Sequence, residues 1–323
     1  MLKSVKLKTG IFMGGLAAVL LWCAYPPVGL PFLVFFALVP LFICSRRLKP
    51  WQSAVVWGLA GLLFWMMNFS WFFTLRDYNV GWKYILPVWG VGSFLKALIF
   101  ALFGLIDAYI WRRNGRGVCV KWFSLFLIEP FIWTGFEWLR SLVPSLESNF
   151  IGTSICQMSL LSAPARWGGE IMLGALAIMI NSAIATAFNN FLNIRQTKFN
   201  GSRISFAIVN ELAVVVIIVS FVFFMGKIMM PVLKTETKKF VLVQRCAPLE
   251  DKMNELRKQG FDSLEYYRNL LKDYDLKDAD FIVLPESSLK EFGEDVRGEG
   301  AWNVAEILSD MADGATVIAG GES

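Results

Sequence analysis

The sequence predicts a polytopic α-helical membrane bundle of about seven spans followed by an α/β layer, and three observations point there. The chain of 323 residues is 56% hydrophobic with a mean hydropathy of +0.53, above the roughly 45–50% apolar content of soluble domains. Apolar stretches of membrane-spanning length recur through its first two thirds. The charge is also divided: residues 1–233 hold 19 Lys and Arg against 7 Asp and Glu, whereas residues 234–323 hold 12 against 19. Such asymmetry marks two regions that meet different solvents. The expected domains are therefore a transmembrane helical domain over 1–233 and an outer domain over 234–323.

A helix needs about 20 mainly apolar residues to cross the bilayer core. The candidate spans are 10–25, 29–45, 51–73, 84–111, 119–139, 169–192 and 204–226. The first follows Lys3, Lys6 and Lys8 in the manner of a signal peptide, but Trp22 and Tyr25 spoil the small-residue cleavage pattern, so it is expected to stay in place. Alternate loops hold 13 basic residues, in the groups Lys3, Lys6 and Lys8; Arg46, Arg47 and Lys49; Arg112, Arg113, Arg116 and Lys121; Arg195, Lys198 and Arg203. The opposite loops hold only Arg76, Lys83, Arg140 and Arg166. Basic loops stay cytoplasmic, so the N-terminus is expected inside and everything after about residue 227 outside.

Trp51, Trp71, Trp82, Trp111, Trp122 and Trp138 lie near predicted span ends, where an amphipathic ring prefers the interface. Ionisable residues within spans are costly and call for a role. Asp107 and Glu137 stand close enough to span ends to snorkel, and Lys96 and Glu129, mid-span on neighbouring helices, are expected to form an ion pair that locks the bundle. Glu211 has no evident partner.

After Pro231 the pattern changes to short strands and helices. FVLVQ (240–244), FIVLP (281–285) and ATVIAG (315–320) read as buried strands. Between the first two, Asp262 and Glu265 cap a helix whose apolar face carries Leu264, Tyr267, Leu270 and Leu271. Between the last two, Trp302, Ala305, Leu308 and Ala312 share a second helical face. Alternating strands and helices imply parallel pairing with right-handed crossovers. Ligands of open α/β sheets bind at the carboxyl ends of strands, which is where Glu286 stands in FIVLPESSL. A partly desolvated carboxylate there suits a general base, though a helix cap or surface residue has the same appearance.

Histidine is absent, which removes His-activated nucleophiles and His-based metal centres. The five cysteines, Cys23, Cys44, Cys119, Cys156 and Cys246, show no CxxC spacing and support neither a disulfide framework nor a metal site.

The ordered series VLVQ, DFIVLPESSL and ATVIAGGES resembles the opening of a carbon–nitrogen hydrolase (nitrilase-type) domain. Placed after seven spans, it resembles the apolipoprotein N-acyltransferase family of the bacterial inner membrane. FEWLRS (136–141), Gln157, Gly168-Gly169 and Asn181 are similar to that family's segment between its fifth and sixth spans. The family's phenylalanine-proline-tryptophan stretch is not recognisable in LVPSLESNF. The resemblance implies a Glu-Lys-Cys triad. Its thiol takes an acyl chain from a phospholipid donor, and the resulting thioester passes it to the amino group of a diacylglyceryl-modified lipoprotein. Glu286 matches the glutamate, with no cofactor, metal or nucleic acid implied and the bilayer itself as a partner. Lys290 follows too closely to match the lysine and Cys246 lies before the glutamate, so both are read as incidental. The family's lysine, cysteine and last span come further downstream, so the chain as given is expected to be a truncated, inactive part of the whole. Two other readings stay open: a non-catalytic transporter or scaffold with a small outer α/β appendage, and a membrane-tethered amidohydrolase.

Overall fold

A computed structural model describes residues 6–78, 80–114, 125–143, 149–158, 160–197, 213–222, 224–225, 228, 238–243, 279–284 and 316–318. The chain divides into two compact units, Met1–Pro231 and Val232–Ser323. The first contains α1 (Leu7–Cys23), α2 (Val39–Ser45), α3 (Pro50–Asn68), α4 (Trp82–Asn114), α5 (Leu125–Ser141) and α6 (Ala165–Thr197), with a shorter helix α7 (Ala213–Val222). Short 3-10 segments at Pro31–Phe35, Phe69–Tyr78 and Ile151–Gln157 complete it among the described residues.

Three stretches among the described residues are long and apolar enough to cross a membrane: Pro50–Asp77, Trp82–Arg113 and Ala165–Asn189. They coincide with the third, fourth and sixth predicted spans. At 33 residues, α4 is about 50 Å long, against roughly 30 Å of hydrocarbon. In a bilayer its ends, marked by Trp82 and Lys83 on one side and Arg112 and Arg113 on the other, therefore reach the headgroup layers. The first predicted span is a 17-residue helix, the fifth is described from Leu125 onward, and the seventh is described as helix over Ala213–Val222.

The second predicted span, 29–45, is not one helix. Pro31 opens a 3-10 turn and Pro40 stands in the first turn of α2, and between them the Leu38 amide and the Val34 carbonyl turn to a side chain for their partners. Asn181 of α6 covers the gap: the Leu38 amide donates to Asn181 Oδ1 at 2.8 Å, and Asn181 Nδ2 donates to the Val34 carbonyl at 2.7 Å. A side-chain amide both accepts and donates, so one residue satisfies both exposed groups of the broken backbone.

Glycines let α3 and α4 approach closely. A Cβ on Gly61 would lie 2.6 Å from the Phe100 ring, and one on Gly104 would overlap Trp57. The space they leave admits a cluster of Phe42, Trp57, Phe103 and Trp133, with Trp57 and Phe103 ring centroids 4.9 Å apart and nearly edge-on. Trp57 donates its Nε1–H to Ser45 Oγ at 2.6 Å, so the buried indole is also satisfied. Of the tryptophans near predicted span ends, Trp51, Trp71, Trp82 and Trp138 are exposed and Trp111 is half-buried.

In the second unit β1 (Phe240–Leu242), β2 (Phe281–Val283) and β3 (Thr316–Ile318) form a parallel sheet in the order β1-β2-β3. Phe240 pairs with Phe281, and their rings stack at 4.8 Å. Asp280 ties the start of the pairing by accepting from the Lys239 amide at 2.8 Å and from Lys238 Nζ at 3.1 Å. These bonds, led by the Lys239 amide, hold its carboxyl below the usual range. A depressed folded-state value means the tie is in place above the ordinary carboxylate range and is lost as pH falls through that lowered value. The predicted helical stretches of this unit, together with Glu211, Cys246 and Lys290, lie outside the described residues.

Candidate functional site

Trp133, Glu137 and Arg140 stand three and four residues apart on α5 and so share one helix face. That face turns into the bundle: Glu137 is 2% exposed and Arg140 5%. The expectation that Glu137 and Asp107 snorkel is therefore corrected, because both carboxylates find their partners inside. For Glu137 the partner is the chain that leads into the 3-10 segment Ile151–Gln157. The Ile151 amide donates to Glu137 Oε1 at 2.9 Å. One residue earlier, the Phe150 carbonyl accepts from the Tyr25 hydroxyl at 2.7 Å. One earlier still, Asn149 adopts φ 56°, a left-handed conformation that asparagine tolerates, and offers its carbonyl to Arg140 at 3.5 Å. The Arg140 guanidinium also lies 4.3 Å from the Phe150 ring centroid. Three successive residues are thus gripped from α5 and from the end of α1.

The other side of the 3-10 segment rests on the start of α6. A Cβ at Gly152 would overlap the Glu170 carbonyl oxygen, so only glycine permits this backbone contact. Thr153 donates its hydroxyl to the Glu170 carboxylate. Glu170 is placed there by a break in α6 at Gly168 (φ −145°, ψ 21°) and Gly169 (φ 62°, ψ −160°). The Gly169 conformation is one that essentially only glycine adopts, at a cost of order 1–3 kcal/mol to other residues. The FEWLRS and Gly-Gly features singled out from sequence therefore meet on the same short segment. Tyr25, Asn149, Thr153 and Glu170 were not anticipated, and only the positive-φ tolerance of asparagine offered a sequence signal.

Replacing Gly152 by Ala is expected to lower stability by about 2–3 kcal/mol, since backbone rather than a flexible side chain must give way. A thermal midpoint equal to wild type would remove the close-contact argument. For Tyr25→Phe we expect hydrogen exchange at the Ile151 amide to quicken by roughly tenfold, as the Phe150 carbonyl loses its buried donor. Unchanged exchange there would show that Tyr25 does not hold the segment.

Lys96 does not take Glu129 as its ion-pair partner. Glu129 pairs with Arg46 at 3.5 Å, whereas Lys96 Nζ lies 4.3 Å from the Trp65 ring centroid and 4.8 Å from that of Phe69. It borders a cavity of about 10 Å³ with Trp133, Glu137 and Arg140. A separate groove of about 340 Å³, lined only by apolar residues such as Gly58, Leu62, Ala97 and Ala101, runs between α3 and α4.

The described thiol nearest this region, Cys156, is exposed on the 3-10 segment. Partial burial, and then the Glu170 carboxylate, push it above its ordinary value, which disfavours the thiolate a nucleophile needs. Glu286, the residue expected to be catalytic, lies outside the described residues, two positions beyond Leu284 at the close of β2.

Residues 17–183 match the family model described as the apolipoprotein N-acyltransferase N-terminal domain. The chain is also similar to an apolipoprotein N-acyltransferase of Rhodopirellula baltica, 24% identical over 203 residues. That alignment covers 57% of this chain and 32% of the relative, so the chain spans about a third of the length of the curated protein it matches.

Proposed function

Because the chain belongs to the family of the apolipoprotein N-acyltransferase N-terminal domain, we propose that it serves an acyl transfer from phospholipid to the N-terminal diacylglyceryl-cysteine of a lipoprotein. The family match over residues 17–183 carries this reading. In it, residues 1–233 cross the inner membrane seven times with the N-terminus in the cytoplasm, and residues 234–323 open a periplasmic carbon–nitrogen hydrolase domain. The three parallel strands support the second part, since such a domain begins with strand, helix and strand in alternation.

Glu286 is the proposed general base. It would take the proton of a cysteine thiol as the thiol attacks the phospholipid ester and pass it to the departing lysophospholipid oxygen, leaving a thioester. It would next take a proton from the incoming amine as the amide forms and return it to the departing thiolate. Chemistry of this kind needs no histidine, in keeping with the composition. The clamp at residues 149–151 gives the segment before Cys156 and Gln157 a fixed place in the membrane unit, and the groove between α3 and α4 presents carbon-lined room suited to an acyl chain.

Two measurements test the proposal. The complete gene product, reconstituted with phospholipid and a diacylglyceryl-cysteine peptide, is expected to yield an N-acylated peptide; absence of product with an otherwise folded protein would refute the activity. A reporter fused after residue 233 is expected to be active only on the outer side, and cytoplasmic activity would overturn the orientation.

A further inference from the structure

The groove of about 340 Å³ between α3 and α4 faces out of the bundle. Val55, Leu59 and Phe94 on its rims are exposed, and Gly58 and Ala101 leave the room between them. Both helices belong to stretches long and apolar enough to cross a membrane, so the groove opens onto hydrocarbon. The two run antiparallel, with Gly61 meeting Phe100 and Gly104 meeting Trp57. The start of α3 therefore stands beside the end of α4, and there the groove leads to positive charge. On α4, Ala101, Leu105 and Arg112 stand four and seven residues apart, so Arg112 lies on the helix face that lines the groove. Its Nε donates to the Leu48 carbonyl at 3.2 Å, which fixes an exposed guanidinium at this end and leaves two amino groups to meet an anion. Lys49, next to Leu48, and Arg113 are exposed as well. Trp51, also exposed, stands three residues before Ala54 on α3, where an amphipathic ring meets the headgroup layer.

Ala54, where the groove begins, is six residues on from Leu48, roughly 9 Å along the axis. One leaflet's hydrocarbon is about 15 Å deep, half the roughly 30 Å of the whole core. A lipid whose phosphate meets Arg112 can thus lay a chain in the groove. The four basic loops, 1–9, 46–50, 112–124 and 193–203, carry thirteen Lys and Arg and no Asp or Glu, so they hold no carboxylate to take a phosphate's place. Charge also argues against a second copy of the chain as the occupant. Copies insert with the same orientation, so a neighbour seated in this groove brings its own basic loops to the same membrane face, where like charges repel. An anionic headgroup complements that end instead.

We propose that the α3–α4 groove and Arg112 bind one anionic phospholipid of the bilayer, with an acyl chain in the groove and the phosphate on the Arg112 guanidinium. Lys49 and Arg113 add positive potential around the headgroup. The lipid is a resident one that stabilises the helix pair, because it binds only the folded bundle. This inference goes beyond the acyl-transfer reading and does not depend on it. In the proposed orientation the headgroup lies on the cytoplasmic side, opposite the face where Glu286 is proposed to act.

Native mass spectrometry of the purified complete protein tests the site, with ether-linked phosphatidylglycerol or phosphatidylcholine added at equal concentration. Neither lipid has an acyl ester, so turnover does not enter the result. Wild type is expected to hold the phosphatidylglycerol roughly fivefold more tightly, and equal retention of the two would overturn the proposal. Arg112→Gln is expected to bring phosphatidylglycerol down to the level of phosphatidylcholine, whereas Lys83→Gln, at the other end of α4, is expected to keep the preference. A loss in Lys83→Gln as large as that in Arg112→Gln would take the headgroup away from Arg112. Ala54→Phe, which fills the groove, is expected to weaken both lipids, and unchanged binding there would show that no chain enters it. Glycerol phosphate without chains is expected to leave the lipid in place; displacement by it would mean a plain phosphate site. A dimer that Ala54→Phe dissolves, with lipid binding unaltered, would give the groove to a second copy. Should Arg112→Gln fail to fold, the wild-type preference and Ala54→Phe still decide the matter.

Discussion

Replacing Glu286 by Gln in the complete gene product is expected to lower formation of the acyl-enzyme from phospholipid by about 10³-fold, the typical worth of a general base. Gln preserves the volume and the carbonyl oxygen of the side chain but accepts no proton at neutral pH. The thiol would then attack as the scarce free thiolate, without a base to take its proton. Membrane insertion is expected to be unchanged, because the substitution lies beyond the hydrophobic unit that ends at Pro231. Trapping of the thioester with radiolabelled phospholipid, together with extraction of the protein from membranes, separates the two effects. Normal thioester accumulation in this variant would remove Glu286 from the proposed chemistry and leave the family assignment standing, since that assignment rests on residues 17–183.

The Asn181→Leu variant is expected to lose about 2–6 kcal/mol of stability, the largest purely structural effect anticipated in the bundle. Leu38 N and Val34 O both lie in the stretch between Pro31 and Pro40, and Asn181 is the partner of both. Leucine fills similar space but supplies neither donor nor acceptor, so two buried backbone groups lose their bonds at about 1–3 kcal/mol each. Hydrocarbon offers them no substitute partner. The thermal midpoint in detergent reads the loss, and Asn181→Asp sharpens the interpretation by restoring an acceptor for Leu38 N without a donor for Val34 O. If the leucine variant melts with wild type, the broken helix is supported by something other than this side chain.

Much of the architecture was legible before any coordinates. Runs of apolar residues locate α3, α4 and α6, because a helix of sufficient length satisfies its own peptide groups and needs only an apolar exterior. β-branched runs between polar stretches similarly locate the three strands near Phe240, Phe281 and Thr316. In both cases the signal is local, since the residues that form the element are the residues that announce it. The FEWLRS motif was legible as a feature but not as a mechanism, because what Glu137 and Arg140 hold is the backbone of residues nine to fourteen positions away.

The sequence by itself determined that this chain has a long apolar region and a charged, strand-bearing one, and where most of their elements lie, since hydrophobic period and charge are properties of neighbouring residues. Only the tertiary structure decided that Glu129 answers Arg46 instead of Lys96, that Glu137 turns inward to Ile151, and that Asn181 mends a helix 143 positions away in the chain. Those choices depend on the depth and rotation of each helix against the others. A shift of one residue turns a helical side chain by about 100°, so no property of a single helix specifies which buried charge or broken backbone it will meet.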